Sequence, residues 1–300
     1  MELTVENSSG NERIDSYLAE NIAGCSRSHI QKLIRDGHVS INGKCVRNNY
    51  RIKENDVISV ILPAPTETGI AAENIPLDIL YEDDDVILIN KPKDMVVHPS
   101  AGHTTGTLVN ALLFHCRGNL SGINGVLRPG IVHRIDKDTT GVIIACKNDN
   151  AHSKIAEQLK NHTMTRRYRA IVCGVIPEEK GTVNSPIGRN PADRKKMKSG
   201  VDDGKCAITH FTVLKRFHDY TYIECILETG RTHQIRVHMA SLGHPLLGDT
   251  VYGSSKNPYH LHGQALHAMV LGFIHPVTGK YMEFSSPLPD YFQHLLDILP

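Results

Sequence analysis

Residues 63–72 read Pro-Ala-Pro-Thr-Glu-Thr-Gly-Ile-Ala-Ala, with two prolines, a glycine and one large apolar side chain. Proline donates nothing to a helix or sheet ladder, and a segment this poor in apolar surface has little to bury. The stretch reads as a linker over 63–75. It divides the 300-residue chain into two folding problems, 1–62 and 76–300. The second is long enough for one large core, and the first for a small module.

In the first piece, Glu12 to Ala19 has the apolar spacing of a short helix. Ser26 to Arg35 reads as a second, with Ser26 as N-cap, Ile30, Leu33 and Ile34 on one face, and Gly37 as the stop. Val39 to Val46 reads as a hairpin around Asn42-Gly43, a dipeptide that accepts the backbone of a tight turn, and Asn55 to Ile61 as an alternating strand. Between Arg27 and Lys53 seven Lys/Arg stand against one acid, Asp36. From Lys160 to Lys205 eleven stand against five acids. A charge run is ordinarily a solvated face, but two in a chain of net charge +1 mark two local resting places for a polyanion.

In the second piece strands are expected at Asp85 to Lys91 (ended by Pro92), Val142 to Cys146, Arg167 to Val175, Ala207 to Arg216, Thr221 to Glu228 and Ala265 to Ile274. Helices are expected at Thr107 to His115, Asp149 to His162 (capped by Asp149 or Asn150) and Thr232 to Leu242. Many strands with few interleaved helices predict an α+β fold with a mixed, largely antiparallel central sheet.

Three polar segments interrupt this pattern. In Pro129 to Gly141 the apolar pair Ile131 and Val132 precedes His133, Arg134 and Asp136, and a turn-rich Lys137 to Gly141 leads into the strand Val142 to Cys146. A carboxylate and a guanidinium two residues apart beside a buried strand suit a site on a rigid scaffold, although a lone Asp is more often a turn residue. The others are Thr165-Arg-Arg-Tyr168-Arg, and Leu227-Glu-Thr-Gly-Arg-Thr-His-Gln-Ile-Arg236 followed by 243–253.

Several classes are disfavoured. The eighteen histidines show no metal spacing, His233 and His238 being five apart, and no Gly-rich phosphate loop is present, so neither metal nor cofactor is expected. Seven scattered cysteines without a Cys-x-x-Cys pair read as reduced thiols of a cytoplasmic protein. No apolar run is long enough to cross a bilayer, and the acidic start is not that of a signal peptide, so no membrane partner is expected. With no Trp and 5% aromatics, a base-stacking platform is not expected.

The wording His133-Arg-Ile-Asp-Lys-Asp-Thr-Thr-Gly141 closely resembles the signature of the RluA/RluD-type RNA pseudouridine synthases. The other two segments resemble that family's counterparts and stand in its order. Residues 1–62, helix-helix-hairpin-strand with Arg-Asp-Gly-x-Val-x-Ile-Asn-Gly, resemble the S4 RNA-binding module. Together they point to the RluD-like branch, departing conservatively at Ile135 and Thr140, where the family often has Leu and Ser.

The resemblance implies a catalytic Asp136 with Arg236 as its ion-pair partner. It implies Tyr168 lying against the target uracil and assisting loss of the C5 proton, and Arg134 displacing the base from its stack. His133, Arg231 and His233 are expected to support or contact the substrate, and Leu247 to wall the pocket, with core packing an equal reading there. Arg27, Lys32, Arg35, Lys44 and Arg47 are expected to meet RNA phosphates. The implied partner is RNA, foremost large-subunit (23S) ribosomal RNA or pre-ribosomal particles, with no obligate protein partner evident. A carboxylate near C1′ can attack it or take a proton from the sugar, and the sequence does not choose. The rivals are a non-catalytic S4-type RNA-binding or ribosome-assembly protein, a family member acting on transfer RNA and, more weakly, a metal-dependent RNA hydrolase.

Overall fold

Two cores form, and the chain divides between them at Gly69 and Ile70. The computed structural model describes all residues but 1, 6–10, 23–26, 62–69, 101, 126–127, 194–195 and 255–257, and all side chains but those and the ones of Glu2–Thr4, Ser28, His29 and Lys32. The expected cap Ser26 and the linker up to residue 69 lie outside the described residues. Ile70 and Ile75 pack against the larger core, and the Glu73 carboxylate accepts from the Gly106 amide, so 70–75 is built into the second unit.

The first unit contains β1 (Glu2–Thr4), α1 (Ile14–Asn21), α2 (Arg27–Arg35), β2 (Val39–Ile41), β3 (Lys44–Cys45) and β4 (Val57–Val60). Its sheet is antiparallel in the order β1-β4-β2-β3. Ile30, Leu33 and Ile34 are buried together, as their i, i+3, i+4 spacing requires. Asn42 and Gly43 both take positive φ, 48° and 77°, which closes the β2–β3 hairpin.

The second unit runs β5 (Ile79–Glu82), β6 (Val86–Lys91), α3 (Leu108–His115), β7 (Thr140–Cys146), α4 (Asp149–Lys160), β8 (Thr165–Cys173), β9 (Lys180–Asn184), β10 (Ile187–Arg189), β11 (Met197–Ser199), β12 (Ile208–Arg216), β13 (Tyr220–Leu227), α5 (Gln234–Ser241), β14 (Leu266–Ile274), β15 (Tyr281–Ser285) and α6 (Asp290–Ile298). Nine strands form one sheet in the order β5-β6-β7-β14-β8-β13-β12-β9, with β15 beside the far end of β14. Every pairing is antiparallel except β7 with β14. The fold is α+β with a mixed, largely antiparallel sheet.

Alternation along the strands sends side chains to two packed faces. Ile87, Ile89, Ile143 and Ala145 join Leu108 and Leu112 of α3 and Ile235 and Met239 of α5 on one face. Val86, Leu88, Val142 and Ile144 join Ala151 and Ile155 of α4 on the other. The parallel seam is tight. Gly141 has φ +106°, and a Cβ there would lie 2.2 Å from the Ala268 carbonyl oxygen, so only glycine fits.

The helix that starts at Asp149 is capped by Asn148, whose side chain accepts from the Ala151 amide. Asp149, expected as the cap, turns its carboxylate to Ser121 and Gly122. Helix α5 begins at Gln234, two residues later than expected, because His233 sits in the left-handed region. No helix among the described residues is long and apolar enough to cross a membrane.

Candidate active site

The loop before β7, the face of β8 and the start of α5 converge on one cleft of about 500 Å³. Asp136, Tyr168, Arg236, His133, Arg134, Arg231 and His233 all line it. The loop bearing Asp136 is held from below by Lys91, the last residue of β6. Lys91 is fully buried, and its three ammonium protons go to the carbonyls of Pro92, Met95 and Lys137 at 2.7, 2.9 and 2.9 Å. Burial brings its pKa down to about 7, against the pull of Asp138 and Asp136. A lysine closing an otherwise apolar strand was the signal available in the sequence.

Arg236 stands between two acids. Its Nη1 donates to Asp136 Oδ2 at 2.8 Å, while Nε and Nη2 grip both oxygens of Asp249 at 2.7 and 3.0 Å. Asp249 is 2% exposed, and its Oδ1 also accepts from the amides of Val251 and Tyr252. Burial works against the charge on Arg236. The hydrogen bonds that Arg236 donates to Asp249 and the field of Asp136 more than offset it, and its pKa is raised. The Tyr252 ring lies 5.2 Å from the guanidinium carbon.

His233 enters from α5 with φ 57° and ψ 24°, a conformation uncommon for a residue other than glycine. That turn brings Nδ1 to the Tyr252 hydroxyl at 2.8 Å and Nε2 to 3.7 Å from Asp136 Oδ1. Burial lowers the His233 pKa, opposed by Asp136. The 229–234 turn is knitted by the buried Gln234 amide. Its oxygen accepts from Thr229 Oγ1 and the Arg231 amide, and its nitrogen donates to the Ile208 carbonyl and Thr209 Oγ1. Arg231 also donates from Nε to the Cys206 carbonyl.

Tyr168 is 9% exposed on β8. Burial raises its pKa, Arg166 opposes this and Asp136 adds to it, so the phenol stays protonated at neutral pH. His133 accepts the Ile144 amide at Nε2, which makes it a neutral, Nδ1-protonated ring. Burial lowers its pKa to about 4. Arg134 is exposed and makes no hydrogen bond or ion pair among the described residues.

Leu247 does not line the cleft. It packs with Ile171, Ala265, Phe292 and Leu295, its amide and carbonyl tied to Ile171 and Ala265. The apolar wall is made by Ile135, Leu227, Ile235 and Leu266 instead.

In the first unit Arg27 is committed internally, with Nε and Nη2 both 3.2 Å from the fully buried Asp15 beside Arg13 and Gln31. Burial penalises the Asp15 carboxylate, yet these bonds hold its pKa well below the usual range. Arg35, Lys44 and Arg47 are exposed, and Arg35 and Arg47 border one hollow with Asn48 and Asn49. The Lys32 side chain lies outside the described residues.

Asp83, Asp85 and His275 are close enough to hold a metal ion. His275, however, meets Asp83 with Nε2 at 2.8 Å, and its Nδ1 accepts from the amides of Val277 and Thr278, which leaves it no open ligand position.

The sequence pattern of RNA pseudouridylate synthases matches residues 85–241, which carry the whole Asp136–Tyr168–Arg236 arrangement. The chain belongs to the RNA pseudouridylate synthase family. It is an isomerase acting on RNA, and residues 12–58 match the S4 domain. It is 52% identical to an uncharacterised RNA pseudouridine synthase of Bacillus subtilis, over 100% of this chain and 98% of that one. It is 48% identical to the ribosomal large subunit pseudouridine synthase D of Zymomonas mobilis, covering 96% and 93%. Among solved structures, human RNA Pseudouridylate Synthase Domain Containing 1 superposes with TM-score 0.59 and 26% identity, over 72% of this chain and 84% of that one.

Proposed function

We propose that this pseudouridine synthase converts specific uridines of large-subunit ribosomal RNA in the cytoplasm, with Asp136 as the group that meets the sugar. The observation carrying this is the Asp136–Arg236 ion pair at 2.8 Å, set in the cleft that Tyr168 also lines. The reaction breaks N1–C1′, turns the base and joins C5 to C1′. The proton on C5 leaves and N1 gains one, so no redox partner is needed.

Either route uses the Asp136 carboxylate, as nucleophile toward C1′ or as base toward the sugar, and Arg236 Nη1 donates to its Oδ2 and fixes its orientation. Tyr168 lies beside the turned base, within reach of the C5 proton. Arg134, exposed and free at the rim, fills the gap left by the extruded nucleotide, which offsets an unstacking cost of a few kcal/mol. The ribosomal target is supported by relatives named as ribosomal large subunit synthases and by the S4 match. The S4 unit, residues 1–62 or a few more, presents Arg35, Lys44 and Arg47 to phosphates.

The test is to map pseudouridines in ribosomal and transfer RNA from cells with and without the gene. Loss of one or more sites in large-subunit RNA is expected. Loss confined to transfer RNA moves the target, and an unchanged map with an inactive purified protein favours a non-catalytic RNA-binding role.

A further inference from the structure

Among the described residues, one buried cation of the cleft, Arg166, has no counter-charge. Arg166 is 6% exposed and stands two residues before Tyr168, on the same face of β8. Its Nη2 donates to the Glu228 carbonyl at 2.8 Å, and its Nε is buried without a partner. Nη1 makes no hydrogen bond among the described residues. It lies beside Gly230, 2.8 Å from where a Cβ would stand, so the bare glycine keeps that edge of the guanidinium clear. Among the described residues no carboxylate pairs with it: its titratable neighbours are the protonated phenol of Tyr168 and the like-charged Arg231, and Asp136 is turned to Arg236. Burying an unpaired guanidinium costs several kcal/mol. Such an arrangement persists where a ligand supplies the missing charge.

We propose that Arg166 binds a backbone phosphate of the extruded nucleotide, the one joined to its 5′ or its 3′ oxygen. This rests on the synthase reading above and adds to it a residue that positions the sugar over Asp136. The cleft favours a phosphate over the uracil ring. Lys160 and Arg231 line the same cavity, so the field there is strongly positive away from Asp136. A guanidinium matches a phosphate with charge-assisted bonds that a neutral base cannot return. Arg166 and Tyr168 are separated by two strand residues, about 7 Å, so the base can meet Tyr168 while the backbone passes Arg166. Held at base and phosphate, the nucleotide has its C1′ fixed between them.

The experiment uses a synthetic RNA carrying a uridine that the wild-type enzyme converts. The phosphodiester on its 5′ or 3′ side is replaced by a neutral methylphosphonate, and a control shares any ribose change this requires. Binding and single-turnover rate are measured for wild type and for Arg166→Met, with thermal melting to check folding. Wild type is expected to lose about 10- to 100-fold in affinity or rate when one of the two phosphates is neutralised. Arg166→Met is expected to lose a similar factor on unmodified RNA and little more on the neutralised one. Arg166→Lys should recover part of the loss.

If neither neutralised phosphate affects wild type, the proposal fails, whatever happens to the variant's folding. If the losses from mutation and neutralisation multiply, Arg166 serves the base or the scaffold, and the proposal fails again. A wild-type protein inactive on every RNA would instead strike at the synthase reading itself.

Discussion

At the scale of single residues, Asp136 is proposed as the group that reacts and its neighbours as the groups that hold it, and each assignment can be checked. Asp136→Asn keeps the shape and removes the charge, so single-turnover isomerisation should fall at least about 1000-fold while RNA affinity stays within several-fold. Substantial turnover by that variant would remove Asp136 from the mechanism. Asp249→Asn acts from behind. It leaves the buried Arg236 with one charged partner, and unfolding in urea should show a loss of about 3–5 kcal/mol. His133 is neutral when folded, with a pKa near 4 against about 6.5 in an unfolded chain. The unfolded chain therefore binds more protons between those values, so stability is complete above pH 6.5 and falls as pH drops toward 4. His133→Asn should flatten that stretch of the pH–stability curve, and His98, also lowered to about 4 by burial, should keep part of it.

The residues at the centre of the cleft were legible because they sit in contiguous, unusual wording, whereas their supports were not. Asp249 and Gln234 act through contacts that only the folded chain makes, and each looks ordinary beside its neighbours. The core setting of Leu247 against Phe292 and the pairing of Arg27 with the buried Asp15 depend on what packs opposite, which the sequence does not display.

At the scale of elements, long apolar runs announced themselves, and β6, β7, β8, β12, β13 and β14 fall close to the expected spans. The short β9, β10 and β11 were hidden by charge and glycine. The β5 and β15 strands are only four and five residues long and take their form from the sheet beside them, while α6, absent from the expected helices, follows from the spacing of Phe292, Leu295 and Leu296. The start of α5 shows the same dependence. The apolar pattern continued back to Thr232, but Gln234 and Tyr252 hold the 229–233 turn out of the helix. The parallel seam makes its own demand. Gly141→Ala forces a side chain against the Ala268 carbonyl in a backbone conformation L-residues resist. A loss of about 3 kcal/mol is expected, read as a Tm lower by about 6 °C or more. An unchanged melting curve would show that the seam yields.

At the scale of the molecule, separate cores need separate apolar sets, and each unit has its own. A chain of 70–300 should therefore fold. It should keep the chemical step at saturating RNA and bind more weakly than the full chain. If three cations of the first unit meet phosphates, its removal should also reduce the salt dependence of binding, by more than one decade between 50 and 200 mM salt. A collapsed single-turnover rate, or equal salt slopes, would contradict this division of labour. The order of the central strands carries a further consequence. β14, from the last forty residues of the chain, lies between β7 and β8, so it stands between the strand that Asp136 leads into and the strand that bears Tyr168. A chain cut short before residue 266 keeps Asp136, Tyr168 and Arg236 but lacks the strand between β7 and β8, so it is expected to show no isomerisation, and turnover by that truncation would show that the cleft assembles without β14.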